Sequence, residues 1–478
     1  MMQQISGNDP VAPPGTRPEL TRGVGMWAAI AINVSNMIGT GVFLKTRVMT
    51  CNVGGAATVM LVWMVAGALA LAGTFCYSEI AALLPEAGGE YVYLRRAYGR
   101  LAGFLFGWMA FAVFRTGSQA AIAAGLAIFM NVALGGALGN WRIDHPGGLP
   151  LAITGEDLVA LATLWTVTLI NCATVRAGGR TALVVTIAKV VLVVGVGIGA
   201  FMLAPGDFGH FGESALGGSC EGVAASARGG IPGFGAAMLG ALWAYDGWNN
   251  VAPLAGEIRD PQRNLPRAFI GGTLIVALLY LFVNAGYYYV LAPVAIASVP
   301  SSSSVATEVL RTFLGPLAVS LTAVAMMISS FGSLHSSVMS NSRIPFAMAR
   351  DGLFFRSLAT LSPRSNVPVR ALVAQGVLAS FLALSGSYDA LTDSVIFASW
   401  LFYGLVAGAL FIFRRSMKDR PRAYRAPGYP WIPIVYLVAT VALLINTFVA
   451  TPRQALQGVG MLLLGMPFYW YWARRRPA

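Results

Sequence analysis

Ile38-Gly39-Thr40-Gly41-Val42-Phe43 interrupts one apolar run, over 26–50, and Ala244-Tyr245-Asp246-Gly247-Trp248 interrupts another, over 231–256. Each run reads as a helix broken in its middle. Hydrocarbon offers backbone amides and carbonyls no partner, so an unwound stretch at membrane depth persists only where protein, water or a ligand satisfies it. Paired Gly-interrupted helices at matching places in two halves of a chain are the sequence mark of a transporter's binding site. The two stretches point to a small-molecule carrier.

Working outward, the chain is 56% hydrophobic and 11% charged, with mean hydropathy +0.68. No ordinary soluble domain has that composition. About twelve apolar runs of bilayer-spanning length can be drawn, at 26–50, 54–83, 98–130, 153–174, 181–204, 231–256, 268–296, 308–342, 368–386, 390–413, 430–451 and 455–473. The expected fold is an all-α integral membrane protein. Residues 1–25 lack a signal peptide's layout, so the first helix is expected to stay as an anchor.

The net charge of +13 would suit a nucleic-acid partner, but its distribution does not. With the N-terminus inside, 24 of the 32 basic residues fall on the cytoplasmic side and six on the outer side. That is the positive-inside asymmetry of a multi-pass membrane protein, so both termini are expected in the cytoplasm and no nucleic acid is implied. The basic loop 414–429 follows from topology alone, although it also suits anionic headgroups.

Cys76 and Cys172 fall in apolar runs and read as small buried hydrophobes. Cys51 and Cys220 both fall on the outer side, where oxidation is allowed, but the sequence does not show whether they pair. His145, His210 and His335 are scattered, and no Cys/His group has metal-ligand spacing. Neither a phosphate-binding loop nor a nucleophile elbow is present. The chain reads as a non-enzyme without cofactor or metal.

The outer loop 205–230 separates five spans from seven. The expected organisation is a cytoplasmic segment 1–25, a first repeat 26–204, the loop, a second repeat 231–413, the basic loop 414–429, and two accessory spans with a short tail over 430–478. Each broken helix would open its repeat, so helices 1 and 6 are the broken ones. The repeat rests on hydropathy and the paired breaks.

At the motifs the sequence becomes recognisable. Ile38-Gly39-Thr40-Gly41-Val42-Phe43 resembles the unwound signature of the amino acid–polyamine–organocation transporter superfamily. Leu242-Trp243-Ala244-Tyr245-Asp246-Gly247-Trp248-Asn249-Asn250 resembles its L-type amino acid transporter branch, in particular bacterial members. The following Glu257-Ile258-Arg259-Asp260-Pro261, Glu86-Ala87-Gly88-Gly89-Glu90-Tyr91, and Ser342-Arg343 through Ala349-Arg350-Asp351-Gly352 are similar to that branch's loops. The resemblance covers about 25–430 and implies a LeuT-type 5+5 inverted repeat.

A helix N-terminus presents free amides to a carboxylate, and a helix C-terminus presents free carbonyls to an ammonium. The resemblance puts a substrate carboxylate against Thr40 and Gly41. It puts the amino group near carbonyls around Ile38, Gly39, Trp243, Ala244, Tyr245, Asp246 and Gly247. Gly39 and Gly41 would supply unusual backbone angles and close approach, and Thr40 a hydroxyl. The competing reading is that both glycines only allow tight helix packing. Trp243 corresponds to an aromatic gate, while Trp248 reads as packing. Phe397, Ser399 and Trp400 fall in a region that borders the pocket in the family, Trp400 as a second gate.

Lys189 stands alone in the fifth apolar run. An ionisable group at membrane depth is a functional hypothesis by default. The resemblance implies that its ammonium stands where sodium-coupled relatives hold an ion, bridging the first-helix break and oxygens of Ser329, Ser330 and Ser333. Snorkelling is the alternative, since the run's start at Thr181 leaves Lys189 only about 12 Å into the helix. Arg115 matches a family position, but Thr116 follows it where many members have Pro. Asp246 is positioned to cap a restarting helix. Glu79 and Glu86 read as loop ion pairs.

The implied function is a sodium-independent amino acid transporter, an exchanger of neutral L-amino acids working by alternating access in the plasma (bacterial inner) membrane. A proton-coupled symporter shares these features, and a non-transporting amino acid sensor is the alternative of another class. Animal L-type relatives carry a disulfide-linked subunit on a cysteine between spans three and four. Here 131–152 has no cysteine, so none is expected.

Overall fold

A computed structural model describes residues 20–144, 152–300, 303–384, 388–450 and 452–474, with the side chains of 388–398, 449–450 and 452–454 outside that description. The side-chain reading of Phe397 and most of the segment 1–25 therefore lie outside the described residues.

The first apolar run folds as two short helices, α1 (Met26–Met37) and α2 (Gly41–Val53), bent by 41° at the break between them. Then come α3 (Ala56–Leu83), α4 (Glu90–Tyr98) and α5 (Arg100–Ala133). A π-helical turn, Ala110–Phe114, lies inside α5 and ends at Arg115. Beyond a small antiparallel hairpin, Arg142–Asp144 against Ala152–Thr154, lie α6 (Gly155–Ala173) and α7 (Val175–Leu203). The second half contains α8 (Gly230–Tyr245), α9 (Pro261–Val290), α10 (Val305–Leu314), α11 (Leu317–Asn341) and α12 (Arg343–Arg350). It closes with α13 (Val369–Leu384), α14 (Tyr388–Ser416), α15 (Trp431–Ala450) and α16 (Pro452–Arg474).

Seven helices among the described residues are long and apolar enough to cross a membrane, or eight when the bent pair is one span. Twelve were expected. Four expected spans fall outside that count: α8, which stops after 16 residues at the second break, the equally short α13, and α14 and α16. The broken α1 lies at the centre, packed against α7, α9 and α11, while α2 packs against α8. Both breaks are thereby held side by side inside the protein, where neighbouring helices reach their open backbone.

The fifth span begins earlier than expected. Thr174 accepts a hydrogen bond from the Ala177 amide at 3.1 Å and starts α7 at Val175, six residues before Thr181. Lys189 is then fourteen residues into a 29-residue helix, roughly 21 Å from its start. Snorkelling to that end would need far more than a side chain's length.

Two of the loop motifs meet in space. Arg343 donates from Nε and Nη2 to the two carboxylate oxygens of Glu257 at 2.7 and 2.9 Å, both residues fully buried. Removing one partner of such a pair leaves an unpaired buried charge, at a cost of about 3–5 kcal/mol. We expect Arg343→Ala to lower the apparent Tm of the purified protein by many degrees, and Glu257→Leu/Arg343→Leu to lower it less. An unchanged Tm for Arg343→Ala would remove the pair from the account of stability. Glu79 forms the second such tie, holding Arg414 at 2.6 Å, Arg422 at 3.6 Å and the Ala426 amide at 2.7 Å. The basic loop is thus fastened to the end of α3, beyond what topology requires.

Cys51 and Cys220 form a disulfide between the end of α2 and the outer loop, with Cα atoms 5.6 Å apart.

Candidate functional site

At the first break the α-helical ladder stops at Ile38 and restarts at Gly41. The amides of Thr40, Gly41 and Val42 pair with no backbone carbonyl among the described residues, as the geometry of a helix start requires. The carbonyls before them are well served. Ser329 donates to the Ile38 oxygen at 3.0 Å, Ser333 to the Ser35 oxygen at 2.9 Å, and the Tyr280 hydroxyl to the Met37 oxygen at 2.8 Å. The break is therefore polarised: its carbonyls face helices α9 and α11, and its amides remain open.

Lys189 is fully buried, and its ammonium donates to the Ser35 carbonyl at 2.8 Å and to Ser333 Oγ at 2.9 Å. It therefore ties α7 to the last turn of α1 and to α11. Of the three serines expected around it, Ser333 touches it, Ser329 holds the break directly, and Ser330 turns to the cavity described below.

The second break differs from the expectation. After Tyr245 no α-helix restarts; turns over 246–251 lead into a 3₁₀ segment, Ala252–Glu257. Asp246 has no helix to cap, and its carboxylate accepts a hydrogen bond from the Tyr403 hydroxyl at 2.8 Å instead. Gly247 has φ +98°, and a β-carbon there would sit 2.9 Å from the Asn36 carbonyl oxygen, so the turn requires glycine. Gly39 and Gly41, in contrast, have no positive φ. Gly41 is needed for proximity: a β-carbon there would lie 2.7 Å from Ala244 Cβ. At Gly39 the nearest atom would be Ser333 Oγ, at 4.0 Å. Neither glycine takes a left-handed backbone angle, and Ile38 ahead of them leaves the helical region with ψ 89°.

Between the breaks lies a cavity of about 90 Å³. Asn36, Met37, Gly39, Thr40 and Gly41 line one side, Trp243 and Asp246 another, Ser330 and Ser333 a third. Ser118, Ala121, Ile122 and Gly125 of α5 close it. Of the residues singled out in the sequence, Gly39, Thr40, Gly41, Trp243, Asp246, Ser330 and Ser333 converge here. Ala244 and Tyr245 do not: the Ala244 carbonyl accepts from Tyr280 at 2.9 Å, and the Tyr245 ring packs on Trp63 and Tyr280. Ile38 presents only its carbonyl, and to Ser329 and Ser333. Ser399 and Trp400 are not among the residues lining the cavity, and Trp400 packs against Tyr403 and Tyr436. Trp248 packs on Tyr77 and Tyr403, as read.

Tyr280 escaped the sequence reading. Its one hydroxyl lies within hydrogen-bond reach of a carbonyl from each break, 2.8 Å from Met37 and 2.9 Å from Ala244. A tyrosine in an apolar span carries no motif. Only the fold brings it there. Asn36 was also missed, although a polar side chain one turn before a break was a usable signal.

A helical protein with several apolar spans and a cavity between two helix breaks has the build of a membrane carrier. Comparison with known proteins makes the class specific: the family described as "Amino acid permease" matches residues 24–470. The chain belongs to this family, a member of the amino acid–polyamine–organocation superfamily of L-type kind, as its motifs implied. It is 30% identical over 460 residues to the serine/threonine exchanger SteT of Bacillus subtilis, covering 96% of this chain and 98% of that protein. It is 29% identical over 465 residues to the b(0,+)-type amino acid transporter 1 of Mus musculus, covering 95% and 90%. To the large neutral amino acids transporter small subunit 2 of Homo sapiens it is 29% identical over 469 residues, covering 95% and 82%. The protein is thus a multi-pass membrane protein whose relatives are transporters rather than enzymes.

Proposed function

We propose that the protein is a sodium-independent exchanger of neutral L-amino acids, working by alternating access around the cavity between the two breaks. The observation that carries this is the meeting of both breaks at one cavity, with open amides at the start of α2 on one side and Trp243 and Asp246 of the second break on another. A zwitterion needs both ends read. In this reading Thr40 and Gly41 take the carboxylate, while the Ile38, Gly39 and Trp243–Gly247 backbone faces the amino group as the cavity rearranges. Trp243 covers it. Lys189 with Ser329 and Ser333 supplies a fixed positive charge where a sodium ion would otherwise be needed.

The remaining short helices α8 and α13, with α14 and α16, would complete twelve spans in a LeuT-type arrangement of two five-helix repeats followed by two accessory spans. The repeats would run over 26–204 and 231–413, with both termini in the cytoplasm of a plasma-membrane protein. No disulfide-linked subunit is expected in this reading, since 131–152 has no cysteine.

The test is uptake of a panel of labelled amino acids by proteoliposomes, with internal amino acid and pH gradient varied separately and sodium replaced by choline. The expected result is uptake of neutral amino acids that requires internal amino acid and persists in choline. Strict sodium dependence would overturn the role given to Lys189. Uptake driven by a pH gradient without internal amino acid would make the protein a proton symporter, and binding without uptake would make it a sensor.

A further inference from the structure

Arg115 does not reach the cavity, yet it is almost fully buried on α5, immediately after the π-helical turn. It sits at the centre of a polar cluster that joins four segments. Its Nη2 donates to Glu90 Oε1, at the start of α4, at 3.2 Å, and its Nη1 donates to Asn250 Oδ1. Asn249 Nδ2 donates to the same Glu90 oxygen at 2.5 Å. Asn250 Nδ2 in turn donates to Asn36 Oδ1 at 3.3 Å, and Asn36 lines the cavity.

Stability alone gives little reason for such a cluster, since a buried ion pair is often no better than apolar packing of the same volume. Nor is it saturated: Glu90 Oε2, Arg115 Nε and Asn249 Oδ1 have no hydrogen-bond partner among the described residues. Groups left unpaired inside a buried cluster are alternative partners for its other members, whereas a fully satisfied network is rigid. The segment it holds is also one outside any helix. Residues 246–251 are turns without a helical ladder, and Val24, ahead of α1, is hydrogen-bonded on through Glu257 and Arg259.

We propose that Arg115 is a positioning residue that latches the cytoplasmic side of the pathway shut, holding the segment after the second break against α4 and α5 and releasing it when Asn36 shifts with the contents of the cavity. This rests on the orientation in the proposed function, whose cytoplasmic N-terminus puts α4, after the second span, on the cytoplasmic side.

The test reads accessibility and needs no substrate. Val251 is fully buried beside Asn250. Val251→Cys is introduced in a Cys172→Ser background, and labelling by a membrane-impermeant maleimide is followed in inside-out and in right-side-out membrane vesicles. Arg115→Met should raise the labelling rate at least tenfold in inside-out vesicles only. Arg115→Lys, which keeps the charge without the two-pronged contact, should fall between. Asn250→Leu should match Arg115→Met, and the double variant should add nothing further. Should Arg115→Met fail to insert, Glu90→Gln keeps the shape of the cluster and should raise labelling in the same direction. Unchanged labelling in an inserted variant would overturn the latch and leave Arg115 a packing residue. Labelling from right-side-out vesicles would overturn it too, by putting the cluster on the outer side. Absence of amino acid uptake by the wild-type protein, with the expected labelling in the variants, would contradict the proposed function and not the latch.

Discussion

Lys189→Ala is expected to reduce kcat/KM for exchange by two orders of magnitude or more while the protein still inserts and elutes as a single species. The ammonium makes two close hydrogen bonds, to the Ser35 carbonyl and to Ser333, and so fixes the last turn of α1 to α11. Hydrogen bonds to a charged group contribute about 1.5–3 kcal/mol each, so losing both removes at least 3 kcal/mol from the arrangement that holds the break. Lys189→Met separates charge from packing, since it fills most of the same space. It should be nearly as impaired as alanine. Proteoliposome exchange kinetics with either variant at the wild-type level would reduce Lys189 to a buried stem.

Gly41→Val is expected to abolish transport. The two breaks touch at this residue, where even a β-carbon would lie 2.7 Å from Ala244 Cβ and 2.9 Å from its Cα. The Ala244 backbone is held by Tyr280 and cannot give way without moving the second break. Gly39→Ala, two residues earlier, meets nothing closer than 4.0 Å and should retain most activity. The pair separates contact between the breaks from a general need for small residues. Thr40→Ala should lie between, weakening substrate binding by about 1.5–3 kcal/mol for one lost hydrogen bond to a carboxylate. Equal activity of Gly41→Val and wild type in the same exchange assay would leave the contact between the breaks without a function.

Local chemistry made part of this legible. A break needs glycine or a polar residue in an apolar run, so 38–43 and 244–248 stood out, as did the lone charge of Lys189. Helix starts were less visible. Thr174 caps α7 ahead of a stretch that includes Arg176 and Arg180, and those charges made the fifth span look as if it began at Thr181. The second break was recognised, but its continuation as turns and 3₁₀ was not, and the partner of Asp246, Tyr403, lies 157 residues away in the sequence. Tyr280, the Glu257–Arg343 pair and the meeting of Cys51 with Cys220 are tertiary facts. Each residue is unremarkable within its own segment. Trp400 shows the converse: a position taken from the region that borders the pocket in the family, yet packed against Tyr403 and Tyr436 here.

The central claim is that the open amides at the start of α2 read the carboxylate of an amino acid. Competition binding to the purified protein tests it most directly, setting each carried amino acid against the amine left when its carboxylate is removed. The account predicts that the amine competes at least a hundredfold more weakly, and that Thr40→Ala narrows the difference. Equal competition by amino acid and amine would contradict it, since the first break would then not recognise the carboxylate at all.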